Sequence, residues 1–177
     1  MLWAGLEFAA VNNPHNLFRH GGRMKAKTRA LTVALCFLAG AMCFASDVQM
    51  GTWKLNEAKS KIAAGSAKNN TVVYEAAGDS IKVTIDGTEP DGTPRHSEWT
   101  GKFDGKDYPS TGNPNEDTRS VKQLDDRTLN VTSKKGGKVV LTAHVVVAPD
   151  GKSRTVTVNA TDAQGKKSKS TAVYDKE

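Results

Sequence analysis

Cysteine is absent from residue 46 onward; the chain's two, Cys36 and Cys43, both precede it. That excludes a thiol nucleophile, a structural disulfide and a cysteine-ligated zinc or iron–sulfur centre from the rest of the chain. Large aliphatic side chains are also few: Leu, Ile, Val and Phe make up 22 of the 132 residues in 46–177. So small a share raises the question of disorder, but low net charge and clean alternation answer it in favour of a folded chain. Nor is there a true excess of one charge. The net +6 comes from 25 Lys+Arg against 19 Asp+Glu, yet five cations and one acid lie in 1–45. Residues 46–177 keep +2, with no Lys/Arg block longer than two. Their aromatic and basic side chains alternate onto opposite faces around Trp99, Lys102 and Phe103, so nucleic acid is excluded as a partner.

Catalytic signatures are missing too. The chain has no Gly-x-Ser-x-Gly elbow and no glycine-rich phosphate loop. His96 and Glu98 share one strand face, opposite Trp99 and Phe103, and read as a wet surface pair rather than as acid and base. His144 alternates with Leu141, Ala143 and Val145, so it faces outward and is not placed to ligate a haem. Asp86, Glu89 and Asp91 crowd one loop without the spacing or terminal Glu of an EF-hand, and read as a turn. No enzyme activity, no cofactor and no metal site is expected.

At the N-terminal end, basic residues Lys25, Lys27 and Arg29 precede an apolar run over 30–45. The run is shorter than the ~20 residues of a spanning helix and ends in Cys43-Phe44-Ala45, with small residues three and one before Ser46. This predicts a secretory signal peptide over 24–45, preceded by a disordered or wrongly started segment 1–23. The folded domain is then 46–177, exported to the periplasm or out of the cell, with no stable membrane insertion.

What this domain has in quantity is Val, Thr and turns. Fourteen Val and fifteen Thr favour pleated strands, because β-branched side chains are stiff at χ1. Turn pairs recur at Asp86-Gly87, Asp91-Gly92, Asp104-Gly105, Gly136-Gly137 and Asp150-Gly151. Between them, Ile81/Val83/Ile85, Trp99/Gly101/Phe103, Val139/Leu141/Ala143/Val145/Val147 and Val156/Val158/Ala160 each share one face. Period two with one apolar face marks antiparallel sheet. Ten strands are predicted, near 51–55, 70–77, 80–86, 94–103, 106–110, 118–124, 128–134, 138–148, 153–161 and 168–176. Short links make an up-and-down meander, and closing it removes exposed edges. An all-β closed barrel is therefore expected, with a two-sheet sandwich as the alternative. The connection over 56–69 has room for at most one short helix, capped by Asn56 and stopped at Gly65.

Gly51-Thr52-Trp53 at the head of the first strand resembles the opening of the calycins, the lipocalins and fatty-acid-binding proteins. Ser170 to Lys176 resembles the last strand of the fatty-acid-binding branch, and Asp104 to Pro109 resembles a stretch found in exported bacterial lipocalin-like proteins. The resemblance implies that Trp53 plugs the closed end of a ten-stranded barrel. It also implies two departures. Where that branch carries an Arg-x-Tyr that holds a ligand carboxylate, this chain has Ala172 before Tyr174, so an uncharged interior is expected. Only 13 or 14 residues stand where that branch builds a two-helix lid, so the mouth is expected to be less covered.

A barrel lined with Val, Ala and Thr leaves two outcomes open: an under-filled interior that takes a small lipophilic guest, or one closed by its own rings. The first predicts non-catalytic binding or transport by a monomer, with Tyr74, Val83, Trp99, Phe103, Val131, Leu141, Val158 and Tyr174 as ligand contacts. The second predicts an envelope protein-interaction module that works through its loops, in the manner of an inhibitor.

Overall fold

The structure, a computed structural model, describes residues 47–162 and 164–177. The expectations for 1–45, signal peptide and upstream segment alike, lie outside the described residues. Ten strands follow in order: β1 (Gly51–Leu55), β2 (Lys68–Ala77), β3 (Ser80–Thr88), β4 (Pro94–Gly101), β5 (Asp104–Thr111), β6 (Thr118–Asp125), β7 (Thr128–Lys135), β8 (Lys138–Val147), β9 (Ser153–Thr161) and β10 (Lys167–Lys176). Each pairs antiparallel with its neighbour in sequence, and β1 also pairs with β10, so the sheet is a closed barrel. The barrel, not the sandwich, is the architecture. Closure leaves the sheet without a free edge.

Helix is confined to two single 3-10 turns, Asp47–Gln49 before β1 and Glu57–Lys59 after it. Asn56 caps the second turn as expected, its side chain accepting from the Lys59 amide at 3.1 Å. The chain then runs beside β10, where Lys61 and Thr171 exchange backbone hydrogen bonds of 2.7 and 2.8 Å. Ser60 Oγ accepts from the Val173 amide at 2.9 Å and donates to Asn56 O at 2.7 Å. The β1–β2 connection is thus a seam in the wall rather than a two-helix lid. No helix among the described residues is long and apolar enough to cross a membrane.

Two predicted details are corrected. The stripe on β8 does not include Val139, which is 52% exposed. The β7–β8 register slips between the pairs Ser133↔Leu141 and Lys134↔Val139. One extra residue there reverses the alternation and turns Val139 outward. Phe103 lies beyond the end of β4, in the tight link to β5, although its ring still packs on the core.

The core lies toward the end of the barrel where β1 begins and β10 ends. Trp53, Ile81, Val83, Trp99, Leu129, Val147 and Tyr174 are all buried there. At the opposite end the inward positions Val131, Leu141, Ala143, Val156, Val158 and Ala160 are only half-buried.

Candidate functional site

The inward face of β9 reads Arg154, Val156, Val158, Ala160, from the filled end to the open one. Strand rise puts about 20 Å between the first and last of these. Arg154 is 2% exposed, opposite Tyr174 on β10 and Val147 on β8. Its guanidinium carbon lies 4.6 Å from the Trp53 ring centre, 4.9 Å from Tyr74 and 5.0 Å from Tyr174. Three aromatic faces attract the cation, but a π-face does not satisfy a ring of N–H donors. Nε and Nη1 are buried without a hydrogen-bond partner, and no carboxylate among the described residues forms an ion pair with Arg154. The uncharged interior expected from Ala172 is therefore overturned. An inward arginine on β9 stands opposite Tyr174.

Two further arginines point inward, and each has an acid. Arg119 Nη2 is 2.5 Å from Glu116 Oε1, which also accepts from Ser110 Oγ at 2.6 Å. Glu116 is 4% exposed, turned in from the β5–β6 loop. Arg95 pairs with Glu89 at 3.3 Å and also bonds the Asn69 side chain. Sequence reasoning missed all three. The signal was strand parity: Arg95 alternates with Ser97 and Trp99, Arg119 with Val121, and Arg154 with Val156 and Val158.

Beneath Arg154 the end of the barrel is sealed. Trp53 is fully buried and donates Nε1–H to Gln49 O at 3.0 Å, in the first 3-10 turn. Lys176 reaches over the Trp53 ring at 5.2 Å and donates to Val48 O at 3.2 Å. Tyr174 donates its hydroxyl to Asn69 O at 3.1 Å. Burial pushes the Tyr174 phenol up to about 12, against the opposing pull of the Arg154 charge, so the hydroxyl stays a donor. Trp53, expected as a plug, is fully buried at this end.

Of the predicted ligand contacts, Tyr74, Val83, Trp99 and Tyr174 are buried in the core, with Phe103 and Val131 packed against it. Tyr74 meets Phe103 edge-on at 6.3 Å, Trp99 stacks with Phe103 at 6.4 Å, and Trp99 meets Tyr108 edge-on at 6.0 Å. Leu141 lies opposite buried Ser133, and Val158 opposite buried Ser170, so register turns both inward. All eight therefore face one interior, with Tyr74, Val83, Trp99, Phe103 and Tyr174 toward its filled end and Val131, Leu141 and Val158 along its half-buried wall. The surface residues behave as read: His96 Nδ1 is 2.7 Å from Asp86 Oδ1, both side chains being 58% exposed. His144 is exposed beside Asn130, and Asp91 closes its turn by accepting from Thr93. No cluster of metal-ligating side chains occurs among the described residues.

The architecture is similar to that of a Schistosoma mansoni fatty acid binding protein solved in complex with arachidonic acid. The TM-score is 0.50 at 19% identity, over 76% of this chain and 99% of that one. Both are closed antiparallel β-barrels, and the likeness is one of fold. Two structures bound to DFHBI also match, EF1p2_mFAP2b and the redesigned beta barrel mFAP1, with TM-scores of 0.46 and 0.41 and identities of 10% and 16%. Each match covers 75% of this chain, with 97% and 98% of those chains. No family model and no curated protein matches the chain.

Proposed function

We propose that the protein is an exported, lipocalin-like monomer that binds, without chemistry, a small lipophilic molecule carrying one acidic group. The acid rests on Arg154, and the apolar body lies along Val156, Val158, Val131 and Leu141, with Phe103 and Tyr74 beside it. One observation carries this reading: a buried guanidinium without a carboxylate of its own among the described residues, at the inner end of a half-exposed apolar wall. A buried cation costs several kcal/mol in lost hydration unless an anion and hydrogen bonds compensate it. A carboxylate supplies both, through charge-assisted bonds.

The test is tryptophan fluorescence of the protein titrated with lipophilic carboxylates and with their alcohol analogues. Saturable quenching by the acids, at least tenfold weaker for the alcohols, is the expected result. A flat response to every compound, with a stoichiometric protein partner recovered from the envelope fraction, overturns the reading in favour of an interaction module. Export is tested by mass: the protein recovered outside the cytoplasm begins at Ser46, whereas an intact chain found only in the cytoplasm refutes it.

A further inference from the structure

The rim at the open end has an uneven charge. Two neighbouring hairpin tips meet there, β7–β8 and β9–β10. The stretches 134–140 and 159–169 hold six lysines and one aspartate, while the other residues from 47 onward hold fourteen cations and seventeen anions. Lys134 is bound to Asp107 at 2.6 Å. Lys135, Lys138, Lys166, Lys167 and Lys169 are exposed and form no ion pair among the described residues. Two acids lie among them, and backbone amides hold both: Asp162 accepts from the Gln164 and Lys166 amides, and Asp117 from the Gly136 amide at 2.8 Å. Between the two tips runs a groove of about 370 Å³ that Val139, Val140 and Leu141 line together with Lys167 and Lys169. Val139 is there because the β7–β8 bulge turns it out.

Cations flanking an exposed aliphatic side chain, outnumbering the acids beside them, match a lipid surface with anionic headgroups. The lysines are attracted to the headgroup charge, and a small apolar tip enters the interface. We propose that this rim docks reversibly on an anionic membrane surface, with Lys135, Lys138, Lys167 and Lys169 at the headgroups and Val139 inserted among them. This goes beyond the binding of a guest in the barrel and does not depend on it. It would hold the half-exposed end of the wall, at Leu141 and Ala160, against the lipid.

Co-sedimentation with phosphatidylcholine vesicles, with and without phosphatidylglycerol, tests the proposal using the protein as its host produces it. Binding is expected only to the phosphatidylglycerol vesicles at low salt, falling at least tenfold in 0.5 M salt as screening sets in. The double variants K135E/K138E and K167E/K169E should each lower binding at least tenfold, and V139S about threefold. K152E, at the sealed end of the barrel, should leave it unchanged. Thermal melts that match the parent protein's keep the comparison about charge rather than folding. Equal binding to neutral vesicles, no binding at low salt, or an equal loss in K152E would overturn the proposal. An acidic protein partner in place of lipid would appear as the second of these.

Discussion

Two inward arginines with opposite surroundings make the sharpest pair of tests at the scale of single residues. In R119M the acid Glu116 stays buried without its cation, and removing one member of such a pair costs about 3–5 kcal/mol. In R154M no acid is orphaned among the described residues, and an apolar chain of similar length replaces a poorly hydrated cation. The lost cation–π attraction, about 2 kcal/mol when desolvated, opposes several kcal/mol of relieved desolvation. R154M should therefore melt no lower than the parent protein, while saturable quenching by lipophilic acids falls at least tenfold. Gly101 is fixed by close approach: a Cβ there would lie 2.5 Å from the Trp99 ring and 2.7 Å from Tyr108. G101A should cost about 1–3 kcal/mol by overpacking, read by thermal melting together with a changed tryptophan spectrum. On the outer face, the hydrogen bond to Asp86 raises the His96 pKa above its ordinary 6.5. The resulting stabilisation is full below the unfolded value and is lost as pH rises through the folded one. An NMR titration should place the His96 midpoint above 6.5 and lower it in D86N.

At the scale of elements, the strands were legible because Val- and Thr-rich alternation and Asx-Gly turns agree with each other along the chain. Alternation alone cannot report a bulge, however. The extra residue between Leu141 and Val139 reverses parity without any sequence mark, so the β8 stripe was read one residue too far. Parity did mark Arg154 as inward, yet the comparison of Ala172 with an Arg-x-Tyr pattern drew attention to the wrong strand. Glu116 had no such mark, because it turns inward from a loop that has no period. The seam after β1 depends on individual hydrogen bonds that composition does not show. S60A removes the acceptor of the Val173 amide and a donor to Asn56 O. It should cost about 1–2 kcal/mol for a partly buried group left unsatisfied. Amide exchange at Val173, and at Thr171 beside it, should quicken more than in β3 or β7. Uniform acceleration across all strands would instead mean that the seam has no stability of its own.

Across the whole molecule, the uneven filling of the barrel links stability to binding. One end is packed with most of its aromatic rings around Trp53 and Trp99 and carries the fold, while the other keeps small side chains and half-exposed walls. An arginine at the boundary of the two is left with donors unsatisfied, so a guest that satisfies them stabilises the folded state by mass action. At a free concentration about 100 times its dissociation constant, such a guest adds about 2.7 kcal/mol. For a domain of this size that corresponds to a melting shift on the order of 10 °C. A lipophilic carboxylate should therefore raise the melting temperature of the parent protein by that order, and the alcohol analogue by much less. In R154M the two compounds should become equivalent, since the apolar wall is still present and only the anion's partner is gone. If acid and alcohol shift the parent protein equally, the wall alone binds and Arg154 is a structural cation held by its three rings. If neither shifts it, the small side chains of the upper barrel line no binding space.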